Sequence, residues 1–549
     1  MSILSRSSNP LRSSIPRSSS LPRRANPAQA QLPPHLTSAD IARYAAQVTT
    51  SGDDTAQAVE PFTGALLPPV PQSSAADVAL AATRARAAQP AWAARPLSER
   101  TRIALKFGEL MVAERDKLTD LVQWETGKSR IHAGIETFGV PLVAAHYGAA
   151  SADYLAPRSV RSGVPGVVRA RVTRHPKGLV GVIAPWNYPL FLAVGDVVPA
   201  LIAGNAVLSK ADSQAPMTLL AARELAVRAG VPAEIWQVVA GPGSKLGQAI
   251  IENVDHLAFT GSTATGRRLA AAAGERLIGT SLELGGKNPM VVREDADLDA
   301  AVTGAVQACF ASAGQMCIGI ERIYVHESLY PTFVEKLVAE TARIKIGASY
   351  DHDVEMGSLT SAEQLGVTRD HVEDAVAQGA VVASGGRHRP DLGPFFFEPT
   401  VITGVRPGMK LYAEETFGPV VSVYPVVDDA DAIARANDTE YGLSASVWGK
   451  DLAKAQKVAN AIRAGAVNIN DGYLSAISSL SAPMGGMKAS GVGRRHAADG
   501  ILRFTESQTT TTQRVATPYP SRTKAYMAAM RVVVIAQLKA ARRKARKDI

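Results

Sequence analysis

From about residue 75 to 155 the apolar positions recur every three or four residues, through Ala-rich stretches such as 75–88 and 100–122. That is the period of an amphipathic helix. The pattern then changes. Short β-branched runs at 179–184, 206–209, 235–240 and 257–260 read as buried strands, and the segments near 190–203, 216–229, 244–252 and 263–274 read as helices between them. Strands alternating with helices of that length predict βαβ units around a parallel sheet. A second alternating series runs from about 288 to 470 and includes strands at 322–325, 420–427, 444–448 and 466–469. The pattern therefore predicts an α/β chain with two successive α/β domains and no fixed-period repeat.

The two ends break this alternation. Residues 1–35 hold nine Ser, six Pro and five Arg with few large apolar groups, so the segment cannot bury enough surface to offset its ordering entropy and reads as a disordered tail. Its Arg- and Ser-rich, acid-free make-up also resembles an organelle transit peptide, though no amphipathic helix is evident between its prolines, and it lacks the apolar core of a secretory signal. The stretch after Pro520 predicts one basic amphipathic helix. Met527, Met530, Val534, Leu538 and Ala541 fall on one face, and Lys524, Arg531, Lys539, Arg542 and Arg546 on another. Three readings fit it: peripheral contact with an anionic membrane surface, a solvated tail, or packing on a partner subunit.

Composition narrows the class. The chain has 549 residues, 46% apolar and 20% charged, which is globular, and no run approaches the roughly 18 uncharged apolar residues of a membrane span. Two cysteines exclude a disulfide framework. The net charge of +9 suggests nucleic acid until its distribution is read: the two tails carry +13 and the body, 36–514, carries −4. A mildly acidic body offers no phosphate-backbone groove, so no nucleic-acid partner is expected.

Candidate chemistry lies at the turns. Gly261-Ser262-Thr263-Ala264-Thr265-Gly266 follows a predicted strand and opens a helix, where backbone N–H groups can meet phosphates. Arg267 and Arg268 stand where a P-loop would need Lys and Ser or Thr. Gly241-Pro242-Gly243-Ser244 occupies another strand-to-helix turn, and two such turns in consecutive units point to a nucleotide site. Cys309, beside Phe310 in an Ala-rich helical stretch, reads as a packed small hydrophobe. Cys317 follows Gly314-Gln315 where the helical pattern fails, and an irregular turn can present a thiol to N–H donors. No Cys or His lies at ligand spacing from it, so no metal is expected. Glu283, between Leu282 and Leu284 before a Gly pair, is either a half-buried base or an ion-pair partner of Lys287. Pro185-Trp186-Asn187 ends the first strand of the alternating series, at the sheet edge where open parallel sheets bind ligands.

Taken together, Pro185-Trp186-Asn187, Phe259-Thr260-Gly261-Ser262, Glu283-Leu284-Gly285-Gly286-Lys287, Gly314-Gln315-Met316-Cys317 and Glu415-Thr416-Phe417-Gly418-Pro419 resemble, in order and spacing, the aldehyde dehydrogenase superfamily over nearly all of 56–512. The resemblance implies a Rossmann-type cofactor domain at 36–284, a catalytic domain at 285–487, and a small oligomerisation sheet from segments near 157–176 and 488–514. It implies that Cys317 is the nucleophile, that Asn187 and the Cys317 backbone N–H hold the oxyanion, and that Glu283 activates the hydrolytic water. Trp186, Asn187, Gly261, Ser262, Leu284, Glu415 and Phe417 would line the nicotinamide and pyrophosphate end of the cofactor, with Lys210, Ser213 and Gly243 at its adenosine end. NAD-preferring members commonly place Glu where Ser213 stands. A carboxylate there would repel a 2′-phosphate, whereas Ser213 can donate to one and Lys210 can pair with it, so NADP is the expected cofactor, with NAD as a second acceptor.

Within the superfamily the body is most similar to the second-type NADP-dependent succinate-semialdehyde dehydrogenases of actinobacteria, through 314–323, Ser481-Ala482-Pro483-Met484-Gly485-Gly486 and Gly491-Val492-Gly493-Arg494-Arg495-His496. Two positions depart from the pattern. Gly195 stands where related enzymes carry an Arg for the substrate's distal carboxylate, and Arg495 stands where many relatives carry a second Glu. A broad-range enzyme for aliphatic or aromatic aldehydes is thus the alternative, and a non-catalytic scaffold of the same fold is a third reading. A cytoplasmic homodimer or homotetramer is expected, with Arg494 and Glu506 at positions that commonly pair.

Overall fold

The computed structural model describes residues 28–163, 167–514 and 523–546. Strands Leu179–Ile183, Ala206–Ala211, Trp236–Ala240, His256–Thr260 and Gly279–Glu283 form one parallel sheet, joined at its edge by the antiparallel Gly491–Val492. All five residues of Trp236–Ala240 and of His256–Thr260 are buried, as the continuous apolar runs require for strands covered on both faces. The helix Pro216–Ala229 shows how the sequence sets its boundaries. Pro216 supplies a preset φ at the first turn, and Gly230 at φ +115° closes the end in a left-handed conformation.

Spatial order in this sheet is 491–492, 279–283, 256–260, 179–183, 206–211, 236–240. The chain winds outward in one direction from the 179–183 strand and then in the other, so the switch point lies between 179–183 and 256–260. Their carboxyl ends release Ala184-Pro185-Trp186-Asn187 and Gly261-Ser262 side by side. A doubly wound sheet opens a ligand crevice at that place.

The second series forms a seven-stranded sheet ordered Val381–Ser384, Thr400–Thr403, Val420–Val426, Ile320–His326, Asn288–Val292, Ser444–Trp448 and Ala466–Ile469. Only Val381–Ser384 runs antiparallel. A third, antiparallel sheet joins Arg158–Val160, Val168–Pro176 and Thr505–Gln513, and most of its residues are exposed.

Three expectations need correction. Residues 28–35 are not part of a disordered tail: Ala30 N–H donates to Leu66 O (2.9 Å) and His35 N–H to the Asp120 carboxylate (2.8 Å). Residues 1–27 lie outside the described set. The 100–122 pattern is two helices, Leu97–Ala113 and Arg115–Thr126, meeting at Glu114, where the backbone leaves helical geometry (φ −98°, ψ 17°). Within the chain, Glu506 pairs with Lys177, and Arg494 instead donates to the carbonyls of Gly486 (3.0 Å) and Gly493 (2.7 Å). The basic tail does form a helix, Thr523–Ala545, which leaves Met527, Val534 and Leu538 exposed. No helix among the described residues is long and apolar enough to cross a membrane.

Candidate active site

Cys317 sits on an irregular loop, as the broken helical pattern predicts. The helix Leu298–Phe310 ends before Ser312 and Ala313, which adopt left-handed φ of 52° and 55°. Several bonds offset that strain: Tyr188 Oη and Ser312 Oγ are 2.9 Å apart, Gln315 Nε2 donates to Ser312 O (3.1 Å), and Thr360 N–H donates to Gln315 Oε1 (2.9 Å). Asn288 Nδ2 donates to Cys317 O at 2.8 Å. The loop thus holds the thiol on a fixed backbone. Cys309, by contrast, is buried in the helix and lines neither cavity described below.

Two cavities meet at Cys317. One is lined largely by apolar groups, including Phe191, Met316, Ile318, Leu474 and Ile477, and reaches Glu283 and Arg495. The other lies at the switch point and is lined by Trp186, Asn187, Gly261, Ser262, Leu284, Glu415 and Phe417. Cys317 and Glu283 line both. Trp186 and Phe417 meet edge to face, 5.7 Å between centroids. Ser213 is elsewhere, in a third cavity with Gly241 and Pro242. Lys210 reaches toward that turn, since a Cβ on Gly243 would lie 3.9 Å from its Cε. The structure therefore divides the twelve expected site residues into a central group and an outer group of Lys210, Ser213 and Gly243 on neighbouring strand ends.

The charges are unusual. Glu283 is buried and its Oε1 has no hydrogen-bond partner. Burial pushes its carboxyl up to about 7, opposed by the charge of Arg495. The ion-pair alternative with Lys287 does not occur, because Lys287 pairs with Glu321. Burial also pushes the Cys317 thiol up to about 12, helped by the nearby carboxylates Glu415 and Glu283. Asn187 Nδ2 donates to Gln315 O (3.0 Å) and its Oδ1 is unpartnered, so one amide proton remains for a ligand.

The sequence reading missed two supports. Glu321 accepts the N–H groups of Thr416 (3.0 Å) and Phe417 (3.0 Å), while Gln364 Nε2 donates to the carbonyls of the same two residues (3.0 and 2.9 Å). Together they fix a loop whose Phe417 has φ +53°. Glu415, beside it, accepts Gly286 N–H at 2.9 Å; a Cβ on Gly285 would fall 2.4 Å from its Oε2 and one on Gly286 2.6 Å from the Cys317 carbonyl oxygen, so the Gly pair lets both approach. Glu321 directly follows the Cys317 loop in sequence, but nothing in its spacing tells which backbone it will hold.

The residues present fit a nicotinamide nucleotide. Glu415 offers a carboxylate and Ser262 opens a helix N-terminus on one cavity, and Gly261 leaves no side chain between strand end and ligand. At the outer end the buried Lys210 ammonium donates, among the described residues, to Ala211 O alone (2.9 Å), so it has donors to spare.

Known proteins agree with this architecture. A family model described as "Aldehyde dehydrogenase family" matches residues 48–510. A Mycolicibacterium smegmatis protein named "Putative succinate-semialdehyde dehydrogenase [NADP(+)]" is 51% identical over 485 residues, covering 88% of this chain and 94% of its own. A Pseudomonas aeruginosa protein named "Glutarate-semialdehyde dehydrogenase" is 37% identical over 469 residues, covering 84% and 95%. The solved structure described as "Crystal structure of E. coli NADP dependent enzyme" superimposes with a TM-score of 0.82 at 35% identity, covering 85% of this chain and 96% of that one. With its motifs gathered at the switch point of one sheet and these relatives matched over most of their length, the chain belongs to the aldehyde dehydrogenase family.

Proposed function

We propose that this protein oxidises an aldehyde to a carboxylate with NADP, with succinate semialdehyde as the nominal substrate. The observation that carries the reading is that Cys317 and Glu283 line both the apolar cavity and the nucleotide-type cavity. An aldehyde held in the first would present its carbonyl carbon to the Cys317 thiol. The thiol proton passes to solvent as the sulfur adds to the carbonyl carbon, giving a thiohemiacetal oxyanion held by the Asn187 amide and the Cys317 backbone N–H. A donor of this kind is typically worth about 3–4 kcal/mol of barrier. When bound, the nicotinamide nucleotide supplies the hydride acceptor. Loss of hydride leaves a thioester on Cys317. Glu283 then takes a proton from water as the water oxygen adds to the thioester carbon, the C–S bond breaks and the thiolate recovers a proton. A carboxyl pushed to about 7 is matched to that task near neutrality.

Choice of cofactor rests on the outer cavity. Ser213 lines it and Lys210 lies beside its turn, an arrangement that favours a 2′-phosphate over a bare ribose. The exposed three-stranded sheet supports self-association, as dimer or tetramer, and the basic helix 523–545 supports peripheral contact of a cytoplasmic enzyme with an anionic membrane.

The test is initial rates of NADPH formation with succinate semialdehyde, octanal and benzaldehyde, repeated with NAD. The highest specificity constant should belong to succinate semialdehyde with NADP. Faster turnover of the uncharged aldehydes would replace it by the broad-range reading, which the apolar cavity lining also favours.

A further inference from the structure

Among the described residues that line the apolar cavity, Arg495 is the one with a permanent positive charge. Of the cavity's other acidic and basic side chains, Glu136 is paired with Lys128 and accepts the N–H groups of Leu190 (2.8 Å) and Phe191 (3.1 Å), His132 bonds Ser129 through Nδ1 (2.8 Å), its pKa pushed down to about 4 by burial, and Glu283 leaves its Oε1 without a hydrogen bond among the described residues. Arg495 is different. Its Nη2 donates to Asp196 Oδ2 (2.8 Å) and Thr260 Oγ1 (2.6 Å), but its buried Nε–H has no partner. Arg503 bonds the other oxygen of Asp196. Two guanidinium groups therefore share the Asp196 carboxylate, with Glu283 as a further acidic group that feels both.

Arg495 borders the apolar cavity itself, in one lining with Cys317, Tyr473 and Met484. Gly195, next to Asp196 on the helix Phe191–Ile202, has nothing within 4 Å of where a Cβ would stand; it lines a separate, water-sized pocket with Arg495 and Arg503. Glu283 feels the charge of Arg495, but its Oε1 and the Arg495 Nε make no hydrogen bond among the described residues. Asp196 and Thr260 anchor the guanidinium, and its backbone is fixed by a two-way bridge to Met484 (2.9 and 2.6 Å). An anchored guanidinium that borders the cavity can receive a carboxylate held there.

We propose that Arg495 receives the distal carboxylate of a short aldehyde acid, supplying from the C-terminal segment the cation that Gly195 does not. The proposal rests on the reading of this site as an aldehyde-oxidising one and names its substrate class. The two relatives compared above carry the names of a four-carbon and a five-carbon semialdehyde, both with a carboxylate at the far end.

The test compares kcat/KM for succinate semialdehyde and pentanal in wild type, R495Q and R495K. The wild type should prefer succinate semialdehyde, and R495Q should lower that preference at least about 30-fold, chiefly through KM for the charged substrate, with partial recovery in R495K. Equal losses on both aldehydes would overturn the proposal and make Arg495 a support for Glu283 or the fold. An unchanged preference in R495Q would overturn it too, while leaving the substrate reading standing. Oxidation of neither aldehyde by wild type would instead sink the reading of the whole site. Should R495Q fail to fold, wild type decides alone: succinate should inhibit pentanal oxidation at a concentration at least about tenfold below valerate, and equal inhibition would refute the carboxylate site.

Discussion

Replacing Glu283 by Gln removes the base but keeps the size and the polar end of the side chain. Its buried carboxyl has a free Oε1 and is pushed to about 7, so the ionised fraction runs from about one tenth at pH 6 to about nine tenths at pH 8. If Glu283 activates the water, steady-state turnover of the wild type should rise across that window wherever hydrolysis is rate-limiting. General-base removal typically costs about 10²–10⁴ in rate. In E283Q that loss should fall on the second half-reaction alone. Stopped-flow mixing of E283Q with NADP and succinate semialdehyde should show a fast burst of NADPH approaching one equivalent per active site, followed by a slow steady rate with no inflection near pH 7. A burst slowed as much as the steady rate would refute the reasoning and assign Glu283 to activation of the Cys317 thiol.

Other outcomes follow from the same geometry. Carrying the Glu283 carboxyl from its ordinary 4.5 up to about 7 corresponds to roughly 3 kcal/mol. The folded state binds the proton more tightly, so wild type should lose that stability as pH rises from about 4.5 through about 7, and chemical denaturation of E283Q should show a flatter pH dependence; parallel curves would count against it. Ser213→Glu should raise KM for NADP strongly with little effect on NAD, and unchanged NADP kinetics would end the assignment of the outer cavity. Glu321→Gln removes a charged acceptor from the Thr416 and Phe417 N–H groups, and hydrogen bonds to charged groups are worth about 1.5–3 kcal/mol each. Titration calorimetry should show nucleotide affinity falling at least about tenfold, and unchanged affinity would mean that the loop holds without it. Iodoacetamide mapped by mass spectrometry should modify Cys317 well before the fully packed Cys309, and equal rates would remove the case for an accessible thiol loop.

The parts of the fold that were legible are those where burial on two faces forces continuous apolar runs. Ser444–Trp448 and Ala466–Ile469 match the reading residue for residue, and His256–Thr260 differs by one. Helix ends were legible where a local residue fixes them, as Pro216 and Gly230 do. Where a break depends on packing, as at Glu114 between two helical stretches of one continuous pattern, periodicity has nothing to register. Much the same division runs through the site. Cys317 stood out because the helix visibly fails before it. Glu283 was ambiguous because its alternative partner, Lys287, is spent on Glu321, a residue 34 positions further along, and sequence does not carry such pairings. Arg495 was visible as a departure from pattern, but its link to Asp196, across 299 residues, exists only once the C-terminal segment joins the edge of the cofactor sheet.

The central claim is that Cys317 carries the substrate. The most direct measurement is intact-protein and peptide mass spectrometry of E283Q quenched in acid shortly after mixing with NADP and succinate semialdehyde. The account predicts a succinyl thioester on the peptide containing Cys317 and none on the peptide containing Cys309. Product formation with an unmodified Cys317 at every quench time, or an acyl group on any other side chain, would contradict it.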